Sequence, residues 1–127
     1  MKVLVDTHVW LWWLFDPGKL SKSCRRILSD DATDAFFSAA SGWELAIKTQ
    51  LGKLSLPKPL ADVYRELDAQ NVIWLEIARS HCLRLEMLPL HHRDPFDRML
   101  AAQAAELRLP VLSIDPWFEP YGLQRIW

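Results

Sequence analysis

The sequence predicts a three-layer α/β/α domain with a central, mainly parallel sheet. Two observations support this prediction: short apolar runs alternate with helical segments, and no two runs are joined by a hairpin turn. Strands that are connected through helices pair in parallel, by right-handed crossovers. A chain of 127 residues can bury one core, so we expect a single domain over residues 1–127.

The predicted strands are short runs of apolar residues bounded by acids, prolines or polar residues. The first is rich in valine and ends directly before Asp6. They cover residues 2–5, 35–38, 72–75 and 111–114, with a last edge strand over residues 124–127.

The segments between the strands have helical spacing and recognisable ends. The Asp16-Pro17-Gly18 turn stops the first helix, Ser21 can cap the second, and Gly52 suits the left-handed end of the third. The predicted helices cover residues 7–15, 21–29, 40–51, 59–69, 78–87 and 94–107, followed by a short turn or helix over residues 117–119.

Composition excludes several classes of protein. Lys and Arg number 15 against 16 Asp and Glu, which excludes a polybasic coat for nucleic acid but leaves room for a local basic patch. The two cysteines have no partners at zinc-finger spacing, so we expect a reduced, cytoplasmic protein. The longest apolar run, over residues 9–15, is far too short to cross a membrane.

Seven tryptophans are unusual in so short a chain. Trp10, Trp12 and Trp13 lie in the first predicted helix and cannot all face one side of it. We expect at least one of them in the core, and the remaining aromatic surface at a partner interface. Trp43, the neighbour of Glu44 in the sequence, is expected to pack beneath the acidic residues discussed next.

Acidic residues recur at one edge of the predicted sheet. Asp6 and Asp115 follow the first and fourth strands, Glu44 lies in the first turns of the helix after the second strand, and Asp97 lies in the first turn of the last long helix. Carboxylates brought together in a partly dry cleft repel one another. A divalent cation removes this conflict, and oxygen ligands suit Mg²⁺ or Mn²⁺.

Helix capping is the alternative explanation for the same acids. Asp94 precedes Pro95 at a helix start, a typical position for a capping aspartate, and Asp97 would then face the positive end of the helix dipole. Asp6 and Asp115 could each cap the helix that follows them, and Glu44 could be a solvated helix residue. Capping alone, however, does not require all of them to share one edge.

Five segments together resemble one known family. They are VDTHVW at residues 5–10, SAASGWELAIK at 38–48, LGKL at 51–54, LPLHHRDPFDR at 88–98 and SID at 113–115. In order and in spacing, nearly end to end, they resemble PIN-domain ribonucleases of the VapC toxin type. The resemblance implies a PIN-like α/β/α fold and a metal-dependent endoribonuclease. It also implies a VapB-like antitoxin as partner and a homodimer.

The resemblance also implies roles for single residues. The acidic cluster of the family corresponds to Asp6, Glu44, Asp97 and Asp115, with Asp6 and Asp97 as metal ligands and the other two holding water molecules of the metal. Asp94, one helical turn before Asp97, is an alternative ligand. Ser113 would orient Asp6 or Asp115. The metal would activate a water molecule for in-line attack on the RNA phosphodiester and leave a 5′-phosphate product.

Basic residues flank the acidic segments and could contact RNA phosphates, although each could equally be part of a solvated surface. These candidates are Lys48, Lys53, His91, His92, Arg93 and Arg98. Two other functions remain open at this point. One is a PIN-like nuclease with a housekeeping or repair role, and the other is a non-catalytic binding module whose acids only cap helices.

Overall fold

The computed structural model describes residues 1–127 and contains one sheet of five strands, all parallel. The predicted three-layer fold with a mainly parallel sheet is confirmed, and so is the edge strand near the carboxyl terminus. The strands are β1 (Lys2–Val5), β2 (Asp34–Ser38), β3 (Ile73–Leu75), β4 (Val111–Leu112) and β5 (Arg125–Ile126).

Six α-helices connect or flank these strands, each within a few residues of its predicted position. Two short 3₁₀ helices, Pro17–Lys19 and Pro116–Tyr121, lie where the sequence predicted turns. The α-helices are α1 (Thr7–Phe15), α2 (Lys22–Ser29), α3 (Ala39–Gln50), α4 (Leu60–Ala69), α5 (Arg79–Met87) and α6 (Pro95–Leu107).

The strand order is β3-β2-β1-β4-β5. The chain therefore builds outward from β1 to β3 and then returns to the other side of β1 with β4 and β5. In parallel sheets, the point where the order reverses leaves a crevice beyond the carboxyl ends of the two central strands. Here that crevice lies beyond β1 and β4, where Val5 is paired with Leu112.

Alternation along the strands divides the core between the two faces of the sheet. On β1, Val3 and Val5 point into the cluster formed with α1, α2 and α4, whereas Leu4 points into the cluster formed with α6. Phe37 and Phe36 on β2 divide between the faces in the same way. Helices therefore cover both faces, and the ends of the strands remain free to form a site.

The tryptophans of α1 mainly serve this core. Trp10 is buried, with its ring 6.3 Å from that of Phe37, as predicted for at least one of the three. Trp12 packs edge-on against Trp127 at 5.8 Å. None of the helices has the length and apolar character that crossing a membrane requires.

Candidate metal centre

Two of the acids lie at the crevice between the central strands. Asp6 follows β1 directly, and its backbone N–H donates to the carbonyl of Leu112 at 3.0 Å, which continues the ladder between β1 and β4. Asp115 lies three residues beyond the end of β4. Asp6 occupies the N-cap position of α1, but its side chain makes no capping hydrogen bond. Helix capping therefore does not account for this carboxylate.

The side chain of Ser113 connects these two acids. Its hydroxyl donates to Asp6 Oδ2 at 2.7 Å and accepts a hydrogen bond from the backbone N–H of Asp115 at 2.9 Å. Asp115 Oδ1 in turn accepts from the backbone N–H of Trp117 at 2.9 Å and caps the 3₁₀ helix. Ser113 is thus placed to fix Asp6 and Asp115 relative to each other.

Glu44 reaches the site from α3, and a glycine allows this helix to approach α4. A Cβ atom on Gly42 would lie 2.9 Å from the Tyr64 hydroxyl, which donates to the Gly42 carbonyl at 3.3 Å. Glu44 is 3% exposed and Asp6 is 4% exposed. Asp6 Oδ1 and Glu44 Oε1 are both buried without a hydrogen-bond partner.

The start of α6 contributes Asp97, and the capping role predicted for Asp94 is confirmed. Asp94 Oδ1 accepts from the backbone N–H groups of Phe96 at 2.8 Å and Asp97 at 3.1 Å. Asp97 is therefore held in the first turn of the helix, where its Oδ2 lies 2.8 Å from Nε2 of His92.

Crowding and burial disfavour the charged forms of these acids. Burial raises the pKa of Asp6, and the charge of Glu44 raises it further, although the Ser113 hydrogen bond and His8 act against this. Burial, together with the charge of Asp6, raises the pKa of Asp97 to about 7, against the effect of its bond to His92. Burial is the main cause of both shifts, so these carboxyls are costly to ionise unless a cation binds them.

Lys48 provides a nearby positive charge. Its Nζ donates to Glu44 Oε2 at 2.5 Å. Burial opposes the charge of Lys48, but the bond to Glu44 and the charges of Asp94 and Asp97 outweigh it, so the pKa of Lys48 is raised. This one cation engages only one oxygen of Glu44 and leaves Oε1 and Asp6 Oδ1 unpaired.

The residues present fit a divalent cation. Two buried carboxylate oxygens lack any partner, which costs free energy in a closed site unless a cation or water binds them. Oxygen donors of this kind are the ligands that Mg²⁺ and Mn²⁺ prefer. The structure also brings one ligand atom each from His92, Asp97 and Asp115 within 4.8 Å of one another.

The basic candidates divide into two groups. Lys48 and Lys53 line a cleft together with His8 and Glu44, and Lys53, His91 and Arg93 are exposed. Arg98, in contrast, is buried, and its guanidinium donates to the carbonyls of Pro89 and Leu85. The expectation that Arg98 contacts RNA is therefore wrong: its side chain secures the end of α5 and the following loop.

Two aromatic residues beside the acids differ from what the sequence suggested. Trp43 is 56% exposed and packs edge-on against Phe96 at 5.2 Å, so the prediction that it packs under the site is wrong. Trp117 is 48% exposed and stacks on His92, with ring centroids 5.2 Å apart. Sequence reasoning assigned Trp117 no role, and its only available signal was its position two residues after Asp115.

Comparisons with known proteins agree with this architecture. A family model described as the PIN domain matches residues 3–121. Ribonuclease VapC22 of Mycobacterium tuberculosis (strain ATCC 25618 / H37Rv) is 30% identical over 105 residues, which is 82% of this chain and 79% of that protein.

Solved structures show the same fold at low sequence identity. One is the crystal structure of VapBC2 from Rickettsia felis bound to a DNA fragment from the promoter of these proteins. It superposes with a TM-score of 0.73 at 12% identity, and the match covers 99% of this chain and 98% of the neighbour's chain. FitAcB from Neisseria gonorrhoeae gives a TM-score of 0.66 at 17% identity, covering 98% and 96%. The chain therefore belongs to the PIN-domain family, and the motif resemblance to VapC-type ribonucleases is confirmed.

Proposed function

We propose that this chain is a Mg²⁺-dependent endoribonuclease and the toxin of a type II toxin–antitoxin pair, with Mn²⁺ able to replace Mg²⁺. A single domain over residues 1–127 would carry the activity in the cytoplasm. The observation that carries the proposal is the pair of buried, unpartnered oxygens on Asp6 and Glu44, beside Asp97 at the switch point of the sheet. Acids that only capped helices would not leave these two oxygens without partners.

Bound at this site, a divalent cation would supply an activated water molecule and stabilise negative charge on the phosphate undergoing attack. Asp6 and Asp97 would hold the cation directly, and Glu44 and Asp115 would hold its water molecules. Ser113 keeps Asp6 Oδ2 occupied, so that Oδ1 remains the oxygen free to bind. Lys48 occupies Oε2 of Glu44 in the same way and leaves Oε1 free.

Whether Asp94 also reaches the cation depends on its second oxygen. Its Oδ1 accepts two backbone N–H groups at the start of α6, so only Oδ2 is free of the cap. We therefore assign direct binding to Asp97 and give Asp94 the task of fixing the helix turn that presents it.

The surroundings of the acids suit an RNA strand with unpaired bases. Lys53 and Arg93 are exposed near the acidic segments and would contact phosphates. The exposed rings of Trp43 and Trp117 lie next to residues of the site and offer faces on which unpaired bases could stack. Attack at the phosphorus with the ribose 3′-oxygen as leaving group would yield a 5′-phosphate and a 3′-hydroxyl.

The partner proposal is supported by the structural neighbours, since VapBC2 is named as a complex and the chain shares its fold. We propose a VapB-like antitoxin and a homodimer as the assembly of this chain. Mass measurement of the native complex, purified after co-expression with any small open reading frame adjacent to its gene, tests both. A monomer with no bound protein would instead favour a housekeeping or repair nuclease.

The activity is tested by incubating the purified chain with RNA in Mg²⁺ and in excess EDTA. We expect cleavage in Mg²⁺, none in EDTA, and none with the Asp6→Asn variant. The matched control is Asp31→Asn, the same substitution at an exposed acid. Asp31 precedes β2 and therefore lies at the amino-terminal ends of the parallel strands, away from the site. Cleavage by a folded Asp6→Asn protein at the control rate would contradict the proposal.

A further inference from the structure

We propose a second metal position in this site, formed by His92, Asp97 and Asp115, which takes a divalent transition-metal ion through the imidazole nitrogen of His92. The inference rests on the proposed function for the first position, with which it shares Asp97. It gives His92 a role different from the phosphate contact that the sequence suggested.

The spacing of the three residues suits a shared ion. His92 Nε2 and Asp97 Oδ2 lie 2.8 Å apart, and one ligand atom from each of the three residues lies within 4.8 Å of the others. Metal–ligand bonds of about 2.1 Å place adjacent ligands of an octahedral ion about 3 Å apart and opposite ligands about 4 Å apart. Only small movements would therefore be needed, and the ion would take the place of the hydrogen bond between Nε2 and Oδ2.

The histidine ring is held in one orientation. Its plane is tilted by only 12° from that of Trp117, and the ring centroids lie 5.2 Å apart. The loop that carries it is secured by Arg98, whose guanidinium donates to the carbonyl of Pro89 at 3.0 Å. A ligand whose rotamer is fixed by packing loses little entropy when it binds an ion.

The remaining groups of the cluster are free to bind. Asp115 uses Oδ1 to accept the backbone N–H of Trp117, which leaves its Oδ2 outside the cap. Asp6 lies close to this cluster, because the Ser113 hydroxyl bridges its Oδ2 and the backbone N–H of Asp115 and because its charge acts on Asp97. Its buried Oδ1 has no partner in the chain, so the acids beside His92 are not already satisfied by protein groups.

The donor set gives the two positions different preferences. Mg²⁺ binds oxygen and rarely accepts an imidazole, whereas Zn²⁺ suits imidazole nitrogen together with carboxylate oxygen. Mn²⁺ prefers oxygen but also accepts an imidazole, so it can fill both positions. The position around Asp6 and Glu44 offers only oxygen. The position at His92 offers one nitrogen and two carboxylates, so it should be filled preferentially by a transition metal.

Pulsed electron paramagnetic resonance on the full-length protein, loaded with saturating Mn²⁺ so that both positions are filled, tests direct binding. We expect hyperfine coupling to an imidazole nitrogen in the wild type, its loss in His92→Phe, and its retention in His91→Phe. The two variants are matched, because phenylalanine preserves an aromatic ring against Trp117 in one case and against Tyr121 in the other. No nitrogen coupling in the wild type, or coupling that persists in His92→Phe, would overturn the proposal.

Titration calorimetry with Zn²⁺ and with Mg²⁺ adds an affinity readout. His92→Phe, or His92→Gln if the first variant does not fold, should weaken Zn²⁺ binding about tenfold or more and weaken Mg²⁺ binding less than Zn²⁺ binding. Equal Zn²⁺ affinity in wild type and variant would contradict the second position. Cleavage in Mg²⁺ without nitrogen coupling would refute only this inference, whereas nitrogen coupling without Mg²⁺-dependent cleavage would refute only the nuclease.

Discussion

The two sides of the acidic site differ in how closely the fold surrounds them. Asp6 and Glu44 are 4% and 3% exposed and each keeps one unpaired oxygen. The side chains of His92 and Asp97, on the other side, are each 19% exposed and are bonded to each other. The closed side thus keeps two buried carboxylate oxygens without partners, which a cation can bind. On the open side, His92 is bonded to Asp97, and both side chains remain accessible to solvent.

The largest effect is expected on the rate of RNA cleavage, which should fall much more after a substitution on the closed side than after one on the open side. Asp6→Asn should lower the rate of RNA cleavage about a thousandfold or more, because a catalytic metal contributes several kcal/mol of transition-state stabilisation. Asp115→Asn, on the open side, should lower it only about tenfold, which corresponds to about 1.4 kcal/mol. Initial rates at saturating Mg²⁺ measure both, and equal losses would contradict the distinction between the sides.

The next largest effect is expected from removing the Ser113 hydroxyl, which connects Asp6 to Asp115. Ser113→Ala removes the donor to Asp6 Oδ2 and the acceptor for the N–H of Asp115. We expect Mn²⁺ affinity to fall about 10–100-fold, as is usual when a partner of a metal ligand is lost. We also expect the metal-free protein to lose about 1–3 kcal/mol of stability, because a buried oxygen then lacks its hydrogen bond. Calorimetry and denaturant unfolding measure the two losses, and unchanged values would show that Ser113 only fills space.

A pH dependence follows from the raised pKa of Asp97. The folded, metal-free protein keeps this carboxyl protonated up to about pH 7, whereas the unfolded chain releases the proton near pH 4. Stability should therefore fall as the pH rises through this window, by up to about 1.4 kcal/mol per pH unit. Asp97→Asn should flatten the curve. Urea unfolding between pH 4 and pH 8 in EDTA tests this, and a parallel slope in the variant would assign the effect to other groups.

The smallest effect concerns the exposed bases around the site. Lys53→Met should reduce the slope of log affinity for single-stranded RNA against log salt by about 0.7, as expected for one lost phosphate contact. Arg98→Met should destabilise the protein instead, because its guanidinium serves two backbone carbonyls. RNA binding between low and high salt, measured on folded variants, compares them. An unchanged slope for Lys53→Met would remove this residue from the RNA surface.

Much of the site was predictable because strand ends are easy to locate. Asp6 follows β1 directly and Asp115 lies three residues beyond β4, and parallel strands bring such residues to one edge. Asp94 was predictable as a cap because aspartate before proline is typical of helix starts, and the structure confirms its bonds to the first turn.

Other features depended on contacts between distant segments. Arg98 lies on the inner face of α6, where carbonyls of α5 and the following loop receive its guanidinium, although charge alone predicts an exposed side chain. Trp43 faces outward because its neighbour Glu44 occupies the buried direction of α3, although its apolar character predicts burial. The contact of His92 with Asp97 depends on how the loop folds back onto α6, and residue spacing in the sequence does not predict the path of that loop.

Thermal melting with and without Mn²⁺ tests most directly whether this acidic site is a metal centre. At a Mn²⁺ concentration about 100 times the dissociation constant, binding should stabilise the wild type by about 2.7 kcal/mol, and Asp31→Asn should respond equally. Asp6→Asn should lose most of this stabilisation, while its metal-free form should melt at or above the wild-type temperature, because a buried charge has been removed. A shift in Asp6→Asn equal to that of the wild type would contradict the account.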